Sequence, residues 1–166
     1  MTTAFVGVGS NIEPDRNVPA GLADLRHRLG SLVCSTVYET EAVGFDGPAF
    51  YNLVVRLDRP PALEALAAEL RAVEAAFGRG AEAEQRRGSR ALDLDLLVYG
   101  DRVATEPMPL PRPDVRRYAF VLKPLAELAP EFPEPGSGVP FAELWAAFPA
   151  ERTTPMRPVA LELPCQ

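Results

Sequence analysis

Two aspartates stand inside an otherwise apolar run, Ala91-Leu92-Asp93-Leu94-Asp95-Leu96-Leu97-Val98-Tyr99. The alternation from Leu92 to Leu96 has the period of a β-strand; a helix would scatter the same residues around its circumference. In a strand, Leu92, Leu94 and Leu96 share one face. Asp93 and Asp95 share the other, with their Cα atoms roughly 7 Å apart. A sheet built on this strand has one apolar face to cover and one face carrying paired carboxylates. Unpaired, these acids repel each other and resist burial. A hard divalent cation between them removes the conflict. The pair then reads as half of a magnesium site, completed by waters or phosphate oxygens. The residues alone leave a second reading open, an amphipathic strand with a wet, acidic face.

The remaining chain supplies an order of elements. Thr3 to Gly9 reads as a first strand and Ser10 to Pro14 as a turn. A helix follows with Asp15 as N-cap, Pro19 in its first turn, a stripe of Val18, Leu22, Leu25 and Leu29, and Gly30 at its end. Ser31 to Glu39 reads as one strand, Thr40 to Pro48 as a loop and Phe50 to Asp58 as another strand. A second helix opens at Pro60-Pro61, buries Leu63, Leu66, Leu70, Val73 and Phe77, and closes at Gly78. Residues 78–90 read as a loop before the aspartate strand. Gly100-Asp101 reads as a hairpin turn into a short strand at Arg102-Val103. Four prolines keep 105–114 irregular. Helices are predicted at about Tyr118 to Leu128 and Phe141 to Phe148, before a Pro-rich end that wraps the surface. The order β-α-β-β-α-β predicts an α+β, ferredoxin-like sandwich with extra C-terminal helices, in one domain over 1–166.

Charge narrows the function. A net charge of −6 argues against nucleic-acid binding over the whole surface. An RNA-recognition module shares this element order, but its central strands offer aromatics where this chain offers Asp93 and Asp95. No apolar run approaches the roughly 20 residues that cross a bilayer, and the first residues have no basic, signal-like character. A cytoplasmic protein with no membrane partner is expected. Cys34 and Cys165 are read as free thiols, with neither a disulfide framework nor a zinc site indicated. Lys123 is the sole lysine, and arginines crowd both sides of the aspartate strand: Arg79, Arg86, Arg87 and Arg90 before it, Arg112, Arg116 and Arg117 after it. The guanidinium fork suits phosphate oxygens.

These pieces, taken together, resemble the 6-hydroxymethyl-7,8-dihydropterin pyrophosphokinase family. The resemblance is carried by Val8-Gly9-Ser10-Asn11, Tyr38-Glu39-Thr40 with Gly44, Phe50-Tyr51-Asn52, and Glu74 with Gly78-Arg79. It continues through Arg90-Ala91-Leu92-Asp93-Leu94-Asp95, Tyr99-Gly100, Phe120-Val121-Leu122-Lys123-Pro124-Leu125 and Glu127-Leu128-Ala129-Pro130. It spans about residues 3–132 and leaves 133–166 as a C-terminal extension. It implies transfer of pyrophosphate from ATP to the pterin hydroxymethyl oxygen with release of AMP. By matched position it implies Asp93 and Asp95 as ligands of two magnesium ions, acting in catalysis with Arg79 and Arg90. It also implies Glu74, Arg90, Leu96, Arg112 and Arg117 at ATP, and Thr40, Val43, Phe50, Asn52 and Phe120 at the pterin. ATP and the dihydropterin are then the partners of a monomer.

The chain departs from the family at several of these places. The loop Gly80 to Arg90 lacks the usual tryptophan and second arginine. Pro111-Arg112-Pro113 stands where the family has Pro-His-Pro, Tyr118 occupies an expected arginine position, and Glu41 replaces a common proline. Two readings follow: an enzyme with redistributed arginines, or a divergent paralogue that binds pterin or nucleotide with weak or no turnover.

Overall fold

In the computed structural model, which describes residues 1–165, the run around Asp93 is a strand, as its period requires. The chain runs β1 (Ala4–Ser10), α1 (Pro14–Leu29), β2 (Val33–Cys34), β3 (Val37–Thr40), β4 (Phe50–Leu57), α2 (Leu63–Gly78), α3 (Glu82–Arg86) and β5 (Asp93–Tyr99). Then come α4 (Asp114–Arg117), α5 (Ala119–Leu128), α6 (Phe141–Ala146), a 3₁₀ turn (Ala150–Arg152) and β6 (Arg157–Val159). The sheet order is β5-β1-β4-β3-β6, with β2 also on β4 and each paired strand antiparallel to its neighbour. This is the ferredoxin-like α+β arrangement expected from the element order.

The two faces of the sheet are covered differently. Val6, Val8, Leu53, Val55, Leu94 and Leu96 point toward α1 and α2 and pack with Val18, Leu22, Leu66 and Leu70. On the opposite face Phe5, Val54 and Leu97 pack with Val121, Leu122 and Leu125 of α5 and Phe141 of α6. These C-terminal helices cover only part of that face. The uncovered part carries Asp93 and Asp95.

Several local expectations are corrected. Ser31 to Glu39 is two strands, because Ser35 interrupts the ladder. Its N–H donates to the Val54 carbonyl at 2.9 Å, and its Oγ accepts from the Val54 N–H at 2.9 Å. A hydroxyl thus replaces a backbone acceptor and the strand breaks there. Helix α1 begins at Pro14 with Glu13 as the N-cap residue, so Asp15 lies in the first turn and Pro19 inside the helix. Residues 78–90 contain the short helix α3. Arg102-Val103 is not a strand; an isolated bridge joins Ala104 to Leu110 instead.

The tail corrects the expectation for the cysteines. β6 adds to the sheet edge, with Val37 opposite Val159 and Glu39 opposite Arg157. The chain beyond it returns across α1, where Arg26 Nη1 donates to the Pro164 carbonyl at 3.2 Å. Cys165 is thereby brought to Cys34, and the two form a disulfide rather than free thiols. Their separation of 131 residues hid this pairing, because only the added strand brings them together.

Candidate functional site

The site follows from strand register. On β1, Gly9 pairs with Asp93 on one side and Asn52 on the other, and Tyr38 lies next to Asn52. One row of the sheet therefore reads Asp93, Gly9, Asn52, Tyr38. The next row places Gly7 between Asp95 and Val54. Residues paired across a sheet project to the same face, so two glycines separate the acids from the amide. Their missing side chains leave the floor of a cleft of about 280 Å³. A Cβ at Gly9 would sit 3.0 Å from Asn52 Oδ1.

The residues expected to hold a pterin converge on this cleft. Thr40, Val43, Phe50, Asn52 and Phe120 all line it. Asn52 Nδ2 donates to Thr40 Oγ1 at 2.8 Å, which fixes the amide with its carbonyl and one N–H free to meet a planar heterocycle. The cleft also contains aromatics that the sequence did not mark: Phe45, from the loop between β3 and β4, and Tyr118. Tyr118 stacks on Phe120 with ring centroids 5.0 Å apart and planes 18° from parallel. An aromatic among the exposed residues of a Gly-flanked loop was the available signal for Phe45.

The acids form the other end of the cleft. Arg112 Nη2 lies 3.6 Å from Asp95 Oδ1, and its Nε lies 3.3 Å from Asp114 Oδ2. That Nε is buried and has no hydrogen-bond partner among the described residues. Glu74 reaches from α2 to accept the Leu94 N–H at 2.9 Å. Burial pushes Asp93 up to about 6, helped by the neighbouring charge of Glu74. Burial and the charge of Asp93 push Asp95 up to about 6 as well. Burial also raises Glu74, against the Leu94 N–H that stabilises its carboxylate. No set of three or more His, Cys, Asp and Glu side chains gathers on one point among the described residues. Two hard oxygen donors under mutual repulsion fit a magnesium ion that takes its remaining ligands from water and phosphate, not a closed protein cage.

A stability dependence follows. A carboxyl held above its unfolded value favours the folded state below that unfolded value, and the advantage is lost as pH rises through the folded value. Without metal the folding free energy is expected to fall by about 1–2 kcal/mol between pH 5 and 7.5 for the coupled acids, and the melting temperature to fall with it. Magnesium with nucleotide should recover the loss at pH 7.5. Calorimetry in EDTA at the two pH values checks this, and a melting temperature that rises with pH would contradict it.

The other expected residues divide. Arg90 lines this cleft and an adjoining open one of about 610 Å³, which Glu74 also lines, between α2 and α3. Its Nη1 donates to the Gln85 and Ser89 carbonyls at 2.8 Å each. Arg79 is exposed at the C-terminal end of α2 and lines neither cleft. Arg117 is exposed, with its guanidinium carbon 6.0 Å from the Tyr118 ring centre. Arg116, of the arginine group that follows the aspartate strand, is held by Glu134 through Nε at 2.9 and 3.1 Å. Leu96 is buried on the opposite face against α1 and α2, so the strand alternation that joins Asp93 to Asp95 carries Leu96 away from the cleft.

Comparison with known proteins gives the chain's relatives. The model of the 7,8-dihydro-6-hydroxymethylpterin-pyrophosphokinase (HPPK) family matches residues 5–130. A 2-amino-4-hydroxy-6-hydroxymethyldihydropteridine pyrophosphokinase of Synechocystis is 36% identical over 96% of this chain and 83% of its own. The enzyme of that name from Pseudomonas aeruginosa is 37% identical over 89% of this chain and 92% of its own. Among solved structures, an HPPK-DHPS in complex with substrates superimposes with a TM-score of 0.63 at 11% identity. It covers 89% of this chain, which spans 43% of that longer protein, and its likeness is one of fold.

Proposed function

The chain belongs to the 7,8-dihydro-6-hydroxymethylpterin-pyrophosphokinase family, and on that basis we propose how its residues divide the work. The reaction is transfer of pyrophosphate from ATP to hydroxymethyldihydropterin, a step of folate biosynthesis. The hydroxymethyl oxygen attacks the β-phosphorus, the bond to the α-phosphate oxygen breaks, and AMP leaves.

One observation carries the assignment of roles. The row Asp93–Gly9–Asn52 sets paired acids and a positioned amide at opposite ends of one cleft, separated by a glycine. Asn52 and Thr40 orient the polar edge of the pterin, and Phe50 and Phe120 hold its faces. Asp93 and Asp95 hold two magnesium ions together with the triphosphate. The chemistry those ions supply is neutralisation of phosphate charge and polarisation of the phosphoryl oxygens. Arg90 and Arg112 donate to phosphate oxygens, and positioning of the two substrates supplies much of the rate. Glu74, tied to the Leu94 N–H, holds the acid strand against the nucleotide side. A monomer with access to the cytoplasmic pool of ATP suits this reading. Among the described residues no helix is long and apolar enough to cross a membrane.

The test is AMP release from ATP and 6-hydroxymethyl-7,8-dihydropterin, with and without magnesium. Omission of pterin or of metal is expected to abolish it. Arg112→Ala is expected to lower kcat/KM for ATP by about 10–100-fold, the worth of a charge-assisted hydrogen bond. Arg117→Ala should change it by less than about threefold. Equal losses in both would remove Arg112 from its role.

A further inference from the structure

Glu134 is the most deeply buried charged side chain among the described residues, at 5% exposure, and it lines no part of the cleft. It lies beyond residue 130, where the family model's match ends. A turn fixes its backbone: its N–H donates to the Val139 carbonyl at 2.9 Å, and its carbonyl accepts from the Gly138 N–H at 2.8 Å. Its carboxylate accepts from Arg116 Nε at 2.9 and 3.1 Å, from Arg116 Nη2 at 2.5 Å and from the Ser137 hydroxyl at 2.6 Å. Burial alone would raise this carboxyl; the guanidinium and the hydroxyl outweigh it and hold the group below its ordinary value. A fork–carboxylate contact of this kind fixes direction as well as distance.

The element it anchors is α4. Arg116 is the third of that helix's four residues, too few to hold a helical turn unaided. A second grip comes from the 3₁₀ turn, where Arg152 Nη2 donates to the carbonyls of Arg116 and Arg117 at 3.3 and 3.0 Å. The other side of α4 meets the cleft, which Asp114 and Tyr118 line. Asp114 Oδ2 lies 3.3 Å from Arg112 Nε, and the Arg112 carbonyl accepts the Val115 N–H at 3.0 Å. Arg112 thus reaches Asp95 from a position set by α4.

We propose that Glu134 is a positioning residue for the nucleotide: through Arg116 it fixes α4, and α4 holds the Arg112 guanidinium beside Asp95, where the phosphates arrive. This rests on the reading of Arg112 as a donor to phosphate oxygens. The Arg112 side chain is partly exposed and flexible, and Asp114 is its second carboxylate partner. With α4 tethered, Asp114 keeps that guanidinium aimed into the cleft before ATP binds. With α4 released, Asp114 and Arg112 move together, and the cost of ordering them falls on ATP binding and on the approach to the transition state. Residues of the C-terminal extension thereby act on the reaction without touching it.

A double-mutant cycle on the full chain, read as kcat/KM for ATP in AMP formation, tests this. Glu134→Gln keeps the shape of the side chain but turns an amide N–H toward the guanidinium. It is expected to lower kcat/KM for ATP by about 5–20-fold. In an Arg112→Ala background the same substitution should cost less than about twofold, because the residue it acts through is gone. Glu134→Met combined with Arg116→Met replaces the pair by apolar bulk, an exchange that folds commonly tolerate, and should show the same loss as Glu134→Gln. A purely structural role would instead let that variant recover the rate. Losses that multiply with Arg112→Ala, or a paired Met variant within twofold of the unmodified protein, overturn the proposal. An Arg112→Ala variant with undiminished kcat/KM for ATP overturns the phosphate role of Arg112 instead.

Discussion

Asp93→Asn is expected to lower kcat for AMP formation by about 10³-fold and, in EDTA, to raise the melting temperature. Both effects have one origin. Asp93 is buried beside Glu74 and Asp95 and is pushed up to about 6 by that burial and by the neighbouring charge. At neutral pH the metal-free fold carries this repulsion with Arg90 and Arg112, the latter 3.6 Å from Asp95, as compensating cations. An amide of the same shape relieves it, and about 1 kcal/mol of relief is worth about 2–4 °C in a chain of this size. The same amide is a poor magnesium ligand, and loss of about 4 kcal/mol of charge stabilisation is a thousandfold in rate. Function and stability then move in opposite directions, as expected where a site stores unfavourable charge for its substrate. Thermal melts with and without metal, beside an AMP assay, read both quantities. A variant that loses stability in EDTA and keeps its rate would mean that the two acids form a solvated face and no metal site.

The acid pair was legible because its signal is local. A period of two over five residues decides which side chains share a face, with no knowledge of the neighbouring strands. The same argument applied to Leu96 puts its side chain among the core leucines, where the structure has it, on the face away from the acids. Phe50 and Asn52 share a face for the same reason. Features that depend on other parts of the chain were not legible. Helix α3 has five residues, below the length at which propensity alone decides. Ser35 breaks a strand only because Val54 offers it a partner. Arg116 and Arg112 look equivalent in sequence, yet the buried Glu134 captures one and leaves the other at the acids. Phe45 and Tyr118 face the cleft by virtue of loop paths, which carry no periodicity.

The C-terminal extension yields the second large effect. Reduction of the Cys34–Cys165 bond, or Cys165→Ser, is expected to destabilise the fold by about 2–4 kcal/mol, or about 5–15 °C in melting temperature. The bond closes a loop of 131 residues and so restricts the unfolded chain strongly. In the folded chain it secures a strap held otherwise by modest contacts: the three residues of β6, the exposed ion pair of Arg157 with Glu39, and one bond from Arg26 to Pro164. Leu161 and Leu163 add apolar packing on the same side. The strap borders the helix-covered face, whereas Asp93 and Asp95 lie on the opposite one. The rate of AMP formation at 25 °C should therefore change by less than about twofold while amide exchange over 157–165 accelerates. The family model's match ends at residue 130, ahead of this added edge strand. Thermal melts and hydrogen exchange under oxidising and reducing conditions decide the matter. An unchanged melting temperature would mean that the strap is held without the bond. A lost activity would mean that β6, through its pairing with β3, sets the position of Thr40 and hence of the pterin site.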